Sequence, residues 1–307
     1  MITRPTLLIL GAGASMDYGF PSARALKSDI CEQFSRPDGD AIKFLCDTQE
    51  YFRPYDFVEF CKALQLSGQP SVDAFLERNS DYIEIGKVAI AYCLIPYEDE
   101  RRLFPPRSDI HLYEYIFSRL GSDITSFGTN HISIITFNYD RSLEHFLATA
   151  LYNSNRTSST PEQAQEAVKA LPILHLYGQL APLPWQAREY ARLYKPDIRY
   201  RDVMSATKFI KIISEKKEAE LHKDIDFSRA WELINGAEKI CFLGFGYNQT
   251  NVQRLKINNL GEPRRIYGTA MGLAESEKKS VRVAFRGITL EAANSLTMLR
   301  HYGILTL

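Results

Sequence analysis

The run Thr6-Leu-Leu-Ile-Leu10, followed at once by Gly11-Ala-Gly13-Ala-Ser15, constrains the fold more than any other segment. An unbroken apolar run of this length leaves no polar face for water, so it predicts a strand buried on both sides. Strands of that kind belong to parallel sheets covered by helices. Glycines at the strand's end predict a tight turn whose bare backbone admits a close neighbour. A phosphate resting on a helix N-terminus is one such neighbour. A plain tight turn is the alternative, and the third glycine of the dinucleotide fingerprint is missing, because Met16 stands there.

The remaining chain alternates in the way such a sheet requires. Pro21-Ser22 opens a helix over about Ala23 to Phe34. From Ser35 to Phe127 helical periodicity dominates and strand-like runs are absent: Ser71 caps Val72-Asp73-Ala-Phe-Leu, an apolar helix covers Ile83 to Ile95, and Tyr113, Ile116, Phe117 and Leu120 recur at helical spacing. Strand texture returns at Ile132–Phe137, which ends in Asn138-Tyr139-Asp140 and is followed by a helix near Leu143 to Leu151. A polar stretch to Pro172 predicts a loop and a short helix. Ile173-Leu-His175-Leu-Tyr177-Gly178 and Lys239–Leu243, the latter running into Gly244-Phe245-Gly246, are further strands. Arg265–Thr269 is the last, with a helix near Ala274 to Phe285. The pattern predicts an α/β chain: a Rossmann-like, doubly wound parallel sheet from residues 1–34 and 128–307, with a large helical insertion, 35–127, packed beside it.

Charge excludes some partners. Lys plus Arg and Asp plus Glu both number 37, so the net charge of zero exerts no general pull on nucleic acid or an anionic membrane. The cluster Lys208, Lys211, Lys216 and Lys217 reads as a solvated helix face, and no sequence-specific nucleic-acid binding is expected. Five widely spaced cysteines form neither a disulfide framework nor a zinc ribbon, so no metal is expected. Nothing resembles a signal peptide or reaches the roughly 18 apolar residues of a membrane span. A cytoplasmic location is expected.

Candidate chemistry gathers at the carboxyl ends of the strands, where open α/β sheets place ligands. Asn138 there can hold a ribose hydroxyl or a water. Asp140 can take the hydrogens of an amide, or simply cap the next helix. His175 is the histidine on an apolar strand; neutral imidazole is a common general base, and a satisfied core histidine is the alternative. Gly244-Phe245-Gly246 puts a second glycine turn on the same edge.

The order of these pieces resembles the sirtuin-like family, and more narrowly the bacterial sirtuin-like NADases of anti-phage defence. A GAGAS turn, a strand ending in Asn-Tyr-Asp, a strand carrying His shortly before Gly, and a strand ending in Leu-Gly-Phe-Gly occur in that order, and Ser71-Val-Asp73-Ala-Phe-Leu is similar to that group's helical insert. The resemblance implies NAD as substrate, bound in an inverted orientation relative to dehydrogenases. Gly11, Ala12, Gly13 and Ser15 would cradle its phosphates. Asn138 would hold the nicotinamide ribose and position a water, with Asp140 near the nicotinamide amide. His175 would be general base or ribose partner, and Gly244, Phe245, Gly246 and Thr269 would line the adenosine side.

Two departures stand out. Tyr177 occupies the place before Gly178 where the family commonly has His; strand alternation predicts that His175 and Tyr177 share one face. The four-cysteine zinc module usual in the family's protein deacylases is also missing, which sets deacylation below hydrolysis. The resemblance thus implies an NAD glycohydrolase, a toxic effector held in check by homo-oligomerisation or by a partner of the HerA-like ATPase, short Argonaute or nucleotide-processing classes, because the chain's length leaves no room for an obvious sensor domain. A non-catalytic subunit sensing NAD or ADP-ribose is the alternative.

Overall fold

The computed structural model describes residues 1–47, 52–106, 109–213, 221–257 and 264–306. Six strands form one parallel sheet: β1 (Thr6–Leu10), β2 (Ile132–Thr136), β3 (Ile173–His175), β4 (Lys239–Leu243), β5 (Arg265–Thr269) and β6 (Thr289–Glu291). Their order across the sheet is β3-β2-β1-β4-β5-β6. The chain winds outward from β1 in one direction, crosses over, and winds outward in the other, which is the doubly wound Rossmann arrangement. The order reverses between β1 and β4, so the carboxyl ends of these two strands flank the topological switch point.

The apolar runs place β1 and β4 at the centre. All five residues of each are buried, and each fully buried Leu, Ile or Phe side chain contributes roughly 1.5–3 kcal/mol. Register alignment of Leu7 with Ser133 and Ile240, and of Leu8 with Ile134 and Cys241, keeps the two faces separate across three strands. Leu7, Ile9, Ile135, Ile240 and Phe242 face one core; Leu8, Leu10, Ile134, Cys241 and Leu243 face the other.

Helices between residues 35 and 127 cover both faces. Asp40–Cys46, Pro54–Leu66, Val72–Arg78 and Ile83–Leu94 bury Ile42, Phe57, Phe60, Phe75 and Ile90 in the first core. Leu112–Leu120 and Ile124–Phe127 bury Tyr113, Ile116 and Phe127 in the second, beside Ser142–Ser154. The Val72–Arg78 helix starts as its sequence dictates, with the Ser71 hydroxyl accepting the Ala74 N–H. Its Asp73 accepts the Tyr139 hydroxyl, tying the helical segment to the Asn138-Tyr139-Asp140 turn. Among the described residues no helix is long and apolar enough to cross a membrane.

Candidate functional site

The glycine turns after β1 and β4 interlock. Gly11 donates its N–H to the Leu243 carbonyl and Gly13 donates to that of Gly244, both at 3.0 Å. A methyl group on Gly13 would lie 2.7 Å from Gly244 Cα, and one on Gly244, itself at φ +58°, would lie 2.3 Å from the Ala14 nitrogen. The small residues are required by each other: each turn fills the space that a side chain on its neighbour would need. The first turn also does not run into a long helix. It forms two short 3₁₀ turns, Ala12–Ala14 and Met16–Tyr18, and the helix Ala23–Gln33 begins only at its Ser22 cap. The N–H groups of Gly11, Gly13, Ala14 and Ser15 are therefore consumed inside the turns. Among the described residues no acceptor meets the N–H of Ala12, Phe245 or Gly246, which leaves these three as open donors along the rim.

Asn138, just beyond β2, joins this pair of turns. Its Nδ2 donates to the Gly11 carbonyl at 3.0 Å and lies 3.4 Å from the Ser15 hydroxyl, while its own N–H is held by Thr136 Oγ1 at 3.0 Å. Ser15 is buried and donates to the Ala12 carbonyl. Asn138 itself is half-buried, and with both bonds of its amide nitrogen pointing to β1's turn, its Oδ1 is an open acceptor among the described residues.

His175, the last residue of β3, sits against the same turn from the far side. Its ring donates Nδ1–H to the Asn138 carbonyl, 2.9 Å away, and Nε2 lies 2.7 Å from Glu144 Oε1. Burial opposes protonation of the imidazole, but the Glu144 carboxylate and the Asn138 carbonyl outweigh it and raise its pKa above the ordinary histidine value. Burial likewise works against the Glu144 carboxylate, and the imidazolium more than offsets it, holding Glu144 below the usual carboxylate range. The two form a buried ion pair. Both ring nitrogens are thereby engaged, so the geometry makes His175 a positioning residue for the Asn138 backbone.

Neither a family model nor a curated protein matches the chain.

Three further expected residues prove to be braces. Asp140 is buried and accepts the Ser142 hydroxyl and N–H, one residue ahead of Arg141, the cap position of the Ser142–Ser154 helix. Burial, resisted by the serine bonds, raises its carboxyl pKa. Thr269, at the end of β5, accepts the Gly244 N–H through Oγ1 at 2.9 Å and so latches the second turn. Phe245 is buried, its ring packing edge-on against Phe137 at 5.0 Å, while Gly246 is exposed.

The expectation for Tyr177 is corrected. β3 stops at His175, and the Gly178 N–H turns back to the His175 carbonyl at 3.3 Å. Alternation ends with the strand, so Tyr177 joins Leu174 and Leu176 in the first core, where its hydroxyl donates to Asn251 and accepts from Arg254. His175 and Tyr177 thus serve different surroundings.

Two buried acidic residues escaped the sequence reading. Glu144 sits among Leu143, Phe146 and Leu147 on a helix that reads as core. Glu98, in the charged stretch Glu98-Asp-Glu-Arg-Arg102, is fully buried and takes the guanidinium groups of both Arg141 and Arg192. Among the described residues no group of three or more His, Cys, Asp or Glu side chains is placed to hold a metal ion. A cavity of about 480 Å³ bordered by Arg4, Glu238 and Arg265 lies at the amino ends of the strands, the wrong end of the sheet for this rim.

Proposed function

We propose that the chain binds NAD across the β1–β4 switch point and hydrolyses its nicotinamide–ribose bond. One observation carries the reading: Asn138 Nδ2 donates to Gly11 of the interlocked glycine turns while Oδ1 stays open. That puts a fixed polar acceptor beside backbone donors on the ligand-binding edge of the sheet. NAD as the particular dinucleotide rests on the ordered resemblance to sirtuin-like NADases.

In this reading the open N–H groups of Ala12, Phe245 and Gly246 take the pyrophosphate oxygens, and Asn138 Oδ1 accepts a hydrogen from the ribose hydroxyl or the incoming water. The C1′–N bond breaks with its electron pair passing to the pyridinium nitrogen, which leaves as neutral nicotinamide. Water adds to the oxocarbenium-like carbon, as in glycoside cleavage, and its proton passes to solvent. The protein's contribution is orientation and electrostatics. His175, locked by Glu144, keeps the Asn138 turn in place. Because unchecked NAD loss is toxic, restraint by self-association or by one of the partner classes above belongs to the proposal, as does action in the cytoplasm.

One observation favours a second reading. With both nitrogens of His175 engaged, no free imidazole base serves the rim among the described residues, as suits a subunit that senses NAD or ADP-ribose without turnover. Nicotinamide release from NAD, measured with and without candidate partners beside calorimetric NAD binding, separates the two. Release by the wild type and its loss in a folded Asn138→Ala variant support hydrolysis. Binding without release selects the sensor, and absence of NAD binding overturns both.

A further inference from the structure

The segment that follows β3 holds an unusual concentration of unmet polar groups. Four buried side-chain polar atoms lack a hydrogen-bond partner among the described residues, and Gln179 Oε1, Arg192 Nε and Tyr194 Oη are three of them. Buried polar atoms are ordinarily satisfied, so such an excess in one segment calls for an explanation. Arg192 is the most telling. Its side chain is only 2% exposed, one terminal nitrogen meets Glu98 and the other donates to the Lys195 carbonyl at 2.9 Å, yet Nε has nothing. Glu98 is already neutralised by Arg141, which binds it through both terminal oxygens. One carboxylate is shared between two buried guanidiniums, and the further acidic group acting on Arg192 is Asp202 in the cavity wall.

Arg192 lines a cavity of about 400 Å³ on the carboxyl-end side of the sheet. Arg188, Lys195, Arg199 and Arg201 stand around it, all exposed, and the carboxylates of Asp197 and Asp202 are the acidic groups in its wall, Asp202 lying 3.7 Å from Arg201 Nε. This is a strong local excess of cationic side chains in a chain of zero net charge. It differs from the lysine cluster noted in the sequence: Lys208 lies over the Tyr190 ring at 3.5 Å, Lys211 pairs with Asp226, and Lys216 and Lys217 are outside the described residues. The volume is in the range of small-molecule sites, about 300–1,000 Å³. Arginine forks match phosphate oxygens in geometry as well as charge.

We propose that this cavity binds a phosphate-bearing small molecule of nucleotide size, at a site separate from the dinucleotide rim. The buried guanidinium supplies a fixed charge at its base, and the exposed Arg and Lys side chains close over the phosphate oxygens. The wall is also joined to the rim: Arg141, directly after Asp140, donates to the carbonyls of Ala181, Arg192 and Leu193. The inference stands independently of the NAD reading.

Calorimetry on the full chain tests it, with inorganic pyrophosphate and ATP as probes, each repeated with the rim saturated by NAD and in Asn138→Ala. Both arms distinguish bare phosphate from nucleotide, and binding of either probe that persists under NAD supports the site. Substituting the exposed pair, Arg199→Gln with Arg201→Gln, should weaken it roughly tenfold or more, as the loss of one or two charge-assisted contacts. Asp197→Asn should tighten it. The proposal fails if neither probe binds, if NAD displaces them, or if the double variant binds as tightly as the wild type. It also fails if single-stranded DNA binds more tightly than ATP with an affinity that grows with length, since that marks a nucleic-acid surface.

Discussion

The imidazole of His175 and the carboxylate of Glu144 meet at 2.7 Å in the interior, 31 residues apart in sequence, and form the brace beneath the Asn138 turn. Removing one partner of a buried pair strands the other, at a cost of about 3–5 kcal/mol. Glu144→Gln should therefore destabilise the protein strongly, and the loss should depend on pH. The raised pKa of His175 contributes stability that is complete below its unfolded value, about 6.5, and disappears as pH rises through the higher folded value. The lowered pKa of Glu144 contributes above its unfolded value, about 4.3, and is lost as pH falls through the lower folded one. The difference between wild type and variant, followed by urea denaturation, should be greatest between about pH 4.3 and 6.5 and shrink in alkali.

The interlocked turns predict a sharp contrast between neighbouring glycines. Gly244→Ala forces a methyl group to 2.3 Å from the Ala14 nitrogen at positive φ, and should cost at least about 2 kcal/mol. Gly246→Ala meets nothing within 4 Å and should change stability by no more than about 0.5 kcal/mol. Equal effects of the two substitutions in denaturant titrations would refute the interlock.

Asn138→Asp replaces a donor to the Gly11 carbonyl by a carboxylate oxygen. Two acceptors then oppose each other, which disfavours the ionised carboxyl and raises its folded pKa above the ordinary Asp value. The variant should be less stable than Asn138→Ala at pH 7 and regain ground on acidification through that raised pKa. Thermal denaturation of both variants at pH 5 and pH 7 reads the crossover.

Glu98 tests the buried triad in the same way. Glu98→Gln leaves Arg141 and Arg192 facing each other without a counter-charge, and should cost about 3–5 kcal/mol. A solvent-exposed Glu98 would make the substitution neutral; chemical denaturation decides.

Much of the sheet was legible because buried parallel strands leave an unmistakable trace. β1, β2 and β4 are largely apolar runs with turn residues at their ends, β5 is the more mixed Arg265-Ile-Tyr-Gly-Thr269, and the bounds of all four agree with that reading to within a residue. β6 was not read: three half-buried residues, with Leu290 between Thr289 and Glu291, carry no run at an edge. The meeting of Asn138 with the turn of Gly11 and with His175 followed from motif order and from the rule that ligands collect at strand ends. The partners of His175 did not, because a glutamate on an apolar helix declares itself buried only once β3 lies beside that helix. The same blindness hid Tyr177, whose face depended on where β3 ends. Periodicity likewise marked 35–127 as helical and picked out the helices after Ser71, over Ile83 to Ile95 and around Tyr113 to Leu120, but not those at Asp40–Cys46 and Pro54–Leu66, nor the division of the segment between the two cores.

Since the β1 and β4 turns share their backbone contacts atom for atom, they cannot part like fingers to admit a guest. They make a single rigid ledge, with Thr269 as its rivet. Whatever widening a ligand demands must come from the opposite lip, where the chain leaves β2 and β3.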